Sequence, residues 1–315
     1  MKADNPLVVL LYYKYVRIED PENFATAQRN LCQSLNLKGR ILIAAEGING
    51  TVAGEAASTR QYQETLLSDP RFAELEFKIS HGDADTFPKL MVKTRKEIVS
   101  LGLEHDVDPN ETTGTHLMPK EWKKLLDEQP DDVVVFDARN RYESDVGYFE
   151  GAIKPDIEHF RDLPKVVEDY EHLKDKKVLM YCTGGIRCEK ASALFLEKGF
   201  KQVYQLHGGI VSYLEHVGRD HWEGDCFVFD QRMVVPDKFA LADEPAGRCE
   251  HTGVRTRNLI NCAQVSCHRL FVVCSEALAD HPEFEICPRC QAAGITLENV
   301  DRGGSGKKVG SSVTS

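Results

Sequence analysis

Positive charge is in deficit in this chain: 39 Lys and Arg stand against 50 Asp and Glu, a formal net charge of −11. That balance excludes a surface coated uniformly with basic side chains for nucleic acid, so any RNA or DNA partner needs a local positive patch. Long apolar runs are scarce as well. The longest early one, Leu7 to Tyr13, runs into Lys14 without a small-residue cleavage site. It makes a poor secretory signal and falls far short of the about 20 residues of a membrane span. A cytoplasmic protein with no membrane contact is expected. The sequence also lacks a Rossmann-type phosphate loop, a haem motif and an iron-ligand triad, so no nucleotide cofactor is expected.

Cysteine is plentiful by contrast. Six of the ten lie in the 42 residues from Cys249 to Cys290, and in a reducing compartment such a cluster reads as metal ligands more readily than as disulfides. The 315 residues, 42% hydrophobic and 28% charged, are ordinary for a globular protein of two or three domains.

The first segment alternates strand and helix patterns. Leu7 to Ile18 reads as strand, Pro21 to Leu35 as helix, Arg40 to Ala45 and Gly50 to Ala53 as strands around a turn at Glu46-Gly47-Ile48-Asn49, Ala57 to Leu67 as helix and Leu75 to Ile79 as strand. That order, βαββαβ over 1–82, predicts a ferredoxin-like sandwich, with Asn49-Gly50 suited to the hairpin turn. Breakers then dominate 83–114, which reads as a connector. It carries Lys89, Lys93, Arg95 and Lys96, either a solvated face or an RNA-binding patch for phosphates. Over 115–220, helices alternate with short apolar runs such as Val133 to Phe136, Val178 to Tyr181 and Gln202 to Leu206. These predict parallel strands covered on both faces, an α/β domain. The region 221–300 is cysteine-rich, and 301–315, rich in Gly and Ser, predicts a disordered tail.

The segment Cys182-Thr183-Gly184-Gly185-Ile186-Arg187-Cys188 joins a buried strand to a helix. A loop with two glycines can curl its N–H groups inward, and those amides, the helix N-terminus and Arg187 all favour an anion. Cys182 is therefore expected to be a thiolate nucleophile rather than a packing residue. Cys188, one turn on, is either a resolving thiol or a core residue.

With Asp137-Ala138-Arg139, Tyr142-Glu143, Gly147-Tyr148-Phe149-Glu150-Gly151-Ala152 and Leu206-His207-Gly208-Gly209-Ile210 around it, this loop resembles that of a rhodanese domain. The family's loop has six residues, as Cys182 to Arg187 does, whereas related phosphatases have one more; phosphatase activity is disfavoured. Asp137 and Arg139 are expected to brace the fold. Glu46-Gly47-Ile48-Asn49-Gly50-Thr51 and Lys93 to Val99 extend the likeness. Together these motifs are similar to the bacterial rhodanese-domain tRNA uridine 5-hydroxylases. The resemblance implies oxygen-dependent conversion of a wobble uridine to 5-hydroxyuridine, with molecular oxygen as co-substrate and the tRNA anticodon loop as partner. Tyr12, Tyr13 and Tyr15 are either stacking platforms for its bases or core residues. The alternatives are a sulfurtransferase acting through a Cys182 persulfide and a non-catalytic binding module, against which the intact Cys182 and Arg187 argue.

In the last segment Cys249, Cys262, Cys267, Cys274, Cys287 and Cys290 are candidate ligands for a structural zinc, Cys287-Pro288-Arg289-Cys290 forming a C-x-x-C knuckle. Relatives tend to place a second cysteine three residues after the first, where this chain has Thr252 beside His251. One closed site is reachable; two would need histidines such as His251, His268 or His281. Cys32 and Cys226 are expected to be packing residues.

Overall fold

The computed structural model describes residues 7–103, 105, 107–230, 233 and 244–303; residues 304–315 of the expected tail lie outside these. The N-terminal elements are β1 (Leu7–Tyr15), α1 (Pro21–Ser34), β2 (Lys38–Ala44), β3 (Gly47–Gly54), α2 (Ala56–Leu67) and β4 (Lys78–Gly82). Helix α1 starts where Asp20 accepts a bond from the Asn23 N–H at 3.0 Å and Pro21 takes the first helical position, where its missing N–H costs nothing. Alternation along β1 sends Leu10 and Tyr12 into a core with Ile41, Ile43, Ile48, Val52, Tyr62 and Phe72. Val9, Leu11 and Tyr13 are left on the opposite face of the sheet, where they line a cavity.

Two local details differ from the sequence reading. The hairpin turns at Ala45-Glu46, and Asn49-Gly50 lies inside β3, opposite Tyr13 and Tyr12. Gly50 is needed there for space: a Cβ would sit 2.3 Å from the Tyr12 ring. The stretch taken as an irregular connector contains β5 (Leu90–Thr94), which pairs parallel with β2 and extends the sheet to the order β4-β1-β3-β2-β5. Breakers on both sides hid a run of five residues. Val92 packs into the core while Lys89 and Lys93 stay exposed, a common way to guard an edge strand from further pairing.

The second unit comprises β6 (Thr115–Leu117), α3 (Pro119–Glu128), β7 (Val133–Asp137), α4 (Arg141–Val146), β8 (Gly147–Phe149), α5 (Leu163–Val166), β9 (Lys177–Tyr181), α6 (Ile186–Glu197), β10 (Gln202–Leu206), α7 (Gly209–His216) and β11 (Trp222–Gly224). The strands β6-β10-β9-β7 form a parallel sheet. One apolar cluster, with Phe136, Met180 and Phe195, covers one face, and another, with Trp122, Phe149 and Tyr213, covers the other. Burial on both sides explains why these strands read as continuous apolar runs. Strand β11 pairs with β8, tying the start of the cysteine-rich region to this unit. That region adds the hairpin β12 (Leu259–Asn261) and β13 (Leu270–Val272), then α8 (Ser275–Asp280) and α9 (Pro288–Ala292). Among the described residues no helix is long and apolar enough to cross a membrane.

Candidate active site

Strand β9 ends at Tyr181 and α6 begins at Ile186, so Cys182 to Gly185 must reverse the chain within four residues. Gly185 makes this feasible with φ 102°, a left-handed conformation that glycine adopts without a Cβ penalty. The loop is also propped from below. The N–H groups of Ile210 and Val211 donate to the carbonyls of Cys182 and Thr183 at 3.0 and 3.1 Å. A Cβ on Gly209 would fall 2.5 Å from the Cys182 carbonyl oxygen. The Gly208-Gly209 pair is thus a structural part of the loop.

The Gly185 N–H points at Cys182 Sγ, 3.1 Å away. Burial alone pushes the Cys182 thiol up. The Cys188 side chain, the Arg187 guanidinium and the backbone N–H groups of Cys188 and Arg187 outweigh it and bring the thiol down to about 6. Cys182 is therefore mostly thiolate at neutral pH. Cys188 moves the other way, raised well above its ordinary value by burial and by its bond to Cys182. It stays a neutral thiol and acts as donor to the neighbouring sulfur.

Arg187 contributes less free charge than the sequence suggested. Its guanidinium is buried and forks onto Glu143, with Nη1–Oε2 2.5 Å and Nη2–Oε1 2.7 Å, and Thr183 Oγ1 joins the pair. Asn140 and Glu143 cap α4, which fixes the carboxylate in place. Asp137 and Arg139 form a second, fully buried pair at 2.6 Å, and Arg139 also donates to the Gly147 carbonyl; they brace the fold as expected.

The open face of the N-terminal sheet roofs this loop. Leu11 lies over Gly184 and Tyr13 over Gly185. Tyr13 Oη donates to Glu189 at 3.1 Å and Tyr15 Oη to the Ile186 carbonyl at 3.4 Å. Tyr12 faces the other way, hydrogen-bonded to Tyr62 inside the core. Lys190 of α6 is 1% exposed and bonds Glu46 and Glu97, each at 2.7 Å, pinning the rhodanese-type helix to the N-terminal unit. Between roof and loop lies a cavity of about 380 Å³, walled by Val9, Leu42, Phe87, Phe160 and Val228, with Cys182 and Arg187 at its floor. Its size fits a small organic ligand, for which roughly 300–1,000 Å³ is usual.

Family models match three consecutive stretches: a UPF0176 acylphosphatase like domain over residues 7–98, a rhodanese-like domain over 118–216 and a rhodanase C-terminal region over 223–291. A tRNA uridine(34) hydroxylase of Bacillus velezensis is 47% identical over 271 residues, covering 85% of this chain and 83% of the relative. Those of Bacillus mycoides and Bacillus licheniformis are 46% and 48% identical, covering 89% and 86% of this chain and 88% and 84% of the relatives. The chain belongs to the tRNA uridine(34) hydroxylase family.

Of the four basic residues singled out in the sequence, the fold brings only Arg95 to the cavity; Lys89, Lys93 and Lys96 are exposed and absent from its lining. Three cavity residues were missed. Lys78 stands over the Tyr13 ring, its Nζ 5.4 Å from the ring centre. Burial lowers its pKa, and the Glu76 carboxylate and the Cys182 sulfur oppose that. Arg40 lies on the cavity face of β2, and Phe229, 58% exposed, lies on the lining 5.3 Å from the Arg187 guanidinium. Strand alternation marks Arg40 as facing away from the core, but only the tertiary fold brings it to the cavity that Cys182 also lines.

Of the six late cysteines, four converge. Cys262, Cys267, Cys287 and Cys290 hold their sulfurs within 4.8 Å of one another, Cys267 and Cys287 at 3.9 Å. Four thiolates around a zinc at about 2.3 Å stand about 3.8 Å apart in a tetrahedron, so the donor set fits that ion. Cys249 and Cys274 are outside the group; Cys274 Sγ is 3.8 Å from Thr252 Oγ1. His251 does not join it, its ring stacking on Phe284 at 4.1 Å. Cys32 and Cys226 are buried thiols pushed up to about 12 by burial, as packing residues are.

Proposed function

We propose that this protein hydroxylates C5 of the wobble uridine in the anticodon loop of tRNA, in the cytoplasm, with molecular oxygen as co-substrate. The observation that carries the reading is the Cys182 thiolate, with its pKa near 6, at the floor of a cavity large enough for one unstacked base. Family membership supports the substrate. Anticodon bases are unpaired, which lowers the cost of drawing one into such a cavity.

The chemistry follows from the groups present. Cys182 Sγ adds to C6 of uracil, and the C5–C6 π pair moves into an enolate over C5, C4 and O4. Lys78 and the loop N–H groups stabilise that charge, since Arg187 is largely neutralised by Glu143. The electron-rich C5 takes up oxygen and a proton as a hydroperoxide. A thiol reductant then supplies two electrons and two protons, the O–O bond breaks and water leaves. Loss of the C5 proton expels the Cys182 thiolate and restores the ring. In sum, uridine, oxygen, two electrons and two protons give 5-hydroxyuridine and water. Phe229, exposed beside the floor, is suited to stack on the incoming base. One zinc ion held by Cys262, Cys267, Cys287 and Cys290 would act structurally, as the folding nucleus of the C-terminal region.

Nucleoside mass spectrometry of tRNA from a deletion strain carrying wild-type or Cys182→Ser protein tests this. Wild type restores 5-hydroxyuridine and the variant does not. Equal restoration by both would refute the role of Cys182, and rapid turnover of thiosulfate with cyanide in place of hydroxylation would favour sulfur transfer.

A further inference from the structure

We propose that Arg40 and Arg95 form a phosphate clamp on the cavity wall, taking the backbone phosphate of the nucleotide whose base reaches toward Cys182. The proposal rests on the reading of the cavity as a site for a single RNA nucleotide and adds what holds that nucleotide there.

Three observations converge on it. Alternation along β2 sends Ile41 and Ile43 into the core and turns Arg40 and Leu42 to the cavity. Strand β5 runs parallel beside β2 with Ile43 opposite Thr94, and the Arg95 N–H donates to the Ile43 carbonyl at 2.8 Å. Arg95 thus leaves the neighbouring strand on the same wall.

Neither guanidinium has an acidic partner among the described residues. Among the described residues Arg40 makes no side-chain hydrogen bond or ion pair, and Arg95 makes one bond, to the Thr94 carbonyl at 2.9 Å. The arginines at 71, 139, 187, 257, 269 and 302 are paired with carboxylates, whereas Arg29 and Arg60, like Arg40 and Arg95, are not; of these four only Arg40 and Arg95 line the cavity. Glu97 and Asp230 also line the cavity, but Glu97 is paired with Lys190 and neither carboxylate forms an ion pair with Arg40 or Arg95, so both guanidiniums stay open to an anion there. They also repel: burial and the Arg95 charge hold Arg40 below its ordinary pKa. A bound anion relieves that repulsion.

The character of the cavity then selects the anion. Arginine forks match the paired oxygens of phosphate. The wall beyond them is mostly apolar, with Leu11, Leu42, Phe87 and Ile98, and the floor carries the nucleophile. A ligand that fits both ends has an anionic group joined to a flat, weakly polar ring. A pyrimidine nucleotide of single-stranded RNA has that form and, unlike one in a duplex, reaches the cavity without the cost of unpairing and unstacking.

The test uses the full chain and an anticodon stem-loop RNA with uridine at the wobble position, with binding followed by anisotropy across a salt series. For single strands each lost phosphate contact lowers the slope of log affinity against log salt by about 0.7. Arg40→Gln and Arg95→Gln are each expected to lower the slope by about that amount and to weaken binding about tenfold at low salt, while Arg40→Lys keeps most of both. Lys124→Gln, an equal loss of charge outside the cavity, leaves the slope unchanged. Replacing one linkage flanking the uridine by a neutral methylphosphonate weakens wild-type binding and adds little to the loss in Arg40→Gln. Unchanged slopes in both glutamine variants, or full additivity of the methylphosphonate at each flanking linkage, would overturn the clamp. The hydroxylation reading fails separately, if wild type binds this RNA and leaves its uridine unmodified; it stands if uridine is hydroxylated while the salt slopes refuse to move.

Discussion

The chain uses cysteine in two regions in opposite ways. In the loop at Cys182 one sulfur is served by several donors: the Gly185 N–H at 3.1 Å, the Cys188 thiol and the N–H groups of Cys188 and Arg187. In the C-terminal cluster four sulfurs face each other: burial and neighbouring sulfurs push Cys262 and Cys290 up, while Cys287, against its burial, is held down by the Cys290 N–H and the thiols of the other three. A lone thiolate among donors is stable and reactive. Four sulfurs at contact distance cannot all ionise unless a cation joins them, and once joined they are unreactive. The same side chain thus becomes a nucleophile or a ligand according to whether hydrogen-bond donors or other sulfurs surround it.

The largest test of this contrast removes the nucleophile. Cys182→Ser keeps the shape of the loop but replaces a thiolate by a hydroxyl that stays neutral at pH 7. Hydroxylation is expected to fall by about a thousandfold or more, with thermal unfolding little changed. Activity within tenfold of wild type would remove Cys182 from the chemistry. The mirror experiment breaks the cluster. Cys287→Ser, or a strong chelator, is expected to release one zinc per chain by mass spectrometry and to destabilise the C-terminal region by several kcal/mol. The alkylation rate of Cys182 should stay within twofold. If Cys182 reactivity collapses with the metal, the two regions are not independent.

A third change probes what the loop has and the cluster lacks, a roof supplied by another unit. Lys190 is buried between Glu46 and Glu97 at 2.7 Å each, and Glu46 also accepts the Ile98 N–H at 2.6 Å. Lys190→Met leaves two carboxylates facing each other without their cation, a cost of about 3–5 kcal/mol for a buried pair broken on one side. Urea unfolding measures it. The difference from wild type is expected to shrink as the pH falls, because burial already raises the Glu46 pKa and a protonated carboxyl no longer needs the ammonium.

How much of this was legible beforehand follows the same divide. The loop could be read because its parts are contiguous: nucleophile, glycines and helix start occupy Cys182 to Arg187, and local geometry follows from local sequence. The βαββαβ order and the parallel strands were legible for the same reason, through periodicity. Strand β5 was not, because five residues between breakers carry too little pattern and its pairing with β2 is long-range. Asn49-Gly50 misled because glycine serves two needs, positive φ and space, and here the Tyr12 ring demanded space. Glu143 and Lys78 act at the loop from elements 39 and 104 positions before Cys182, Arg40 reaches the same cavity from 142 positions before it, and spacing along the chain cannot place them. In the cluster, four of six candidates converge, and the choice among them is made by the β12–β13 hairpin and α9 rather than by the spacing.

The finest test separates the two sulfurs of the loop itself. Cys182 titrates near 6 partly because Cys188, held neutral by burial, donates its S–H. Cys188→Ala deletes that donor and keeps the small apolar volume. The thiolate of Cys182 then loses one stabilising bond while the Gly185 N–H and Arg187 remain, so its pKa rises by about one unit, the equivalent of about 1.4 kcal/mol. The sign is fixed by which form is reactive: iodoacetamide consumes the thiolate, so the rate grows as pH rises through the pKa and levels off above it. Wild type is expected to show its midpoint near pH 6 and the variant a midpoint shifted toward 7, with the plateau rate unchanged or slightly higher because a more basic thiolate is the better nucleophile. A midpoint that stays in place would make Cys188 a packing residue only. A lost plateau would give it a part in the chemistry beyond hydrogen bonding.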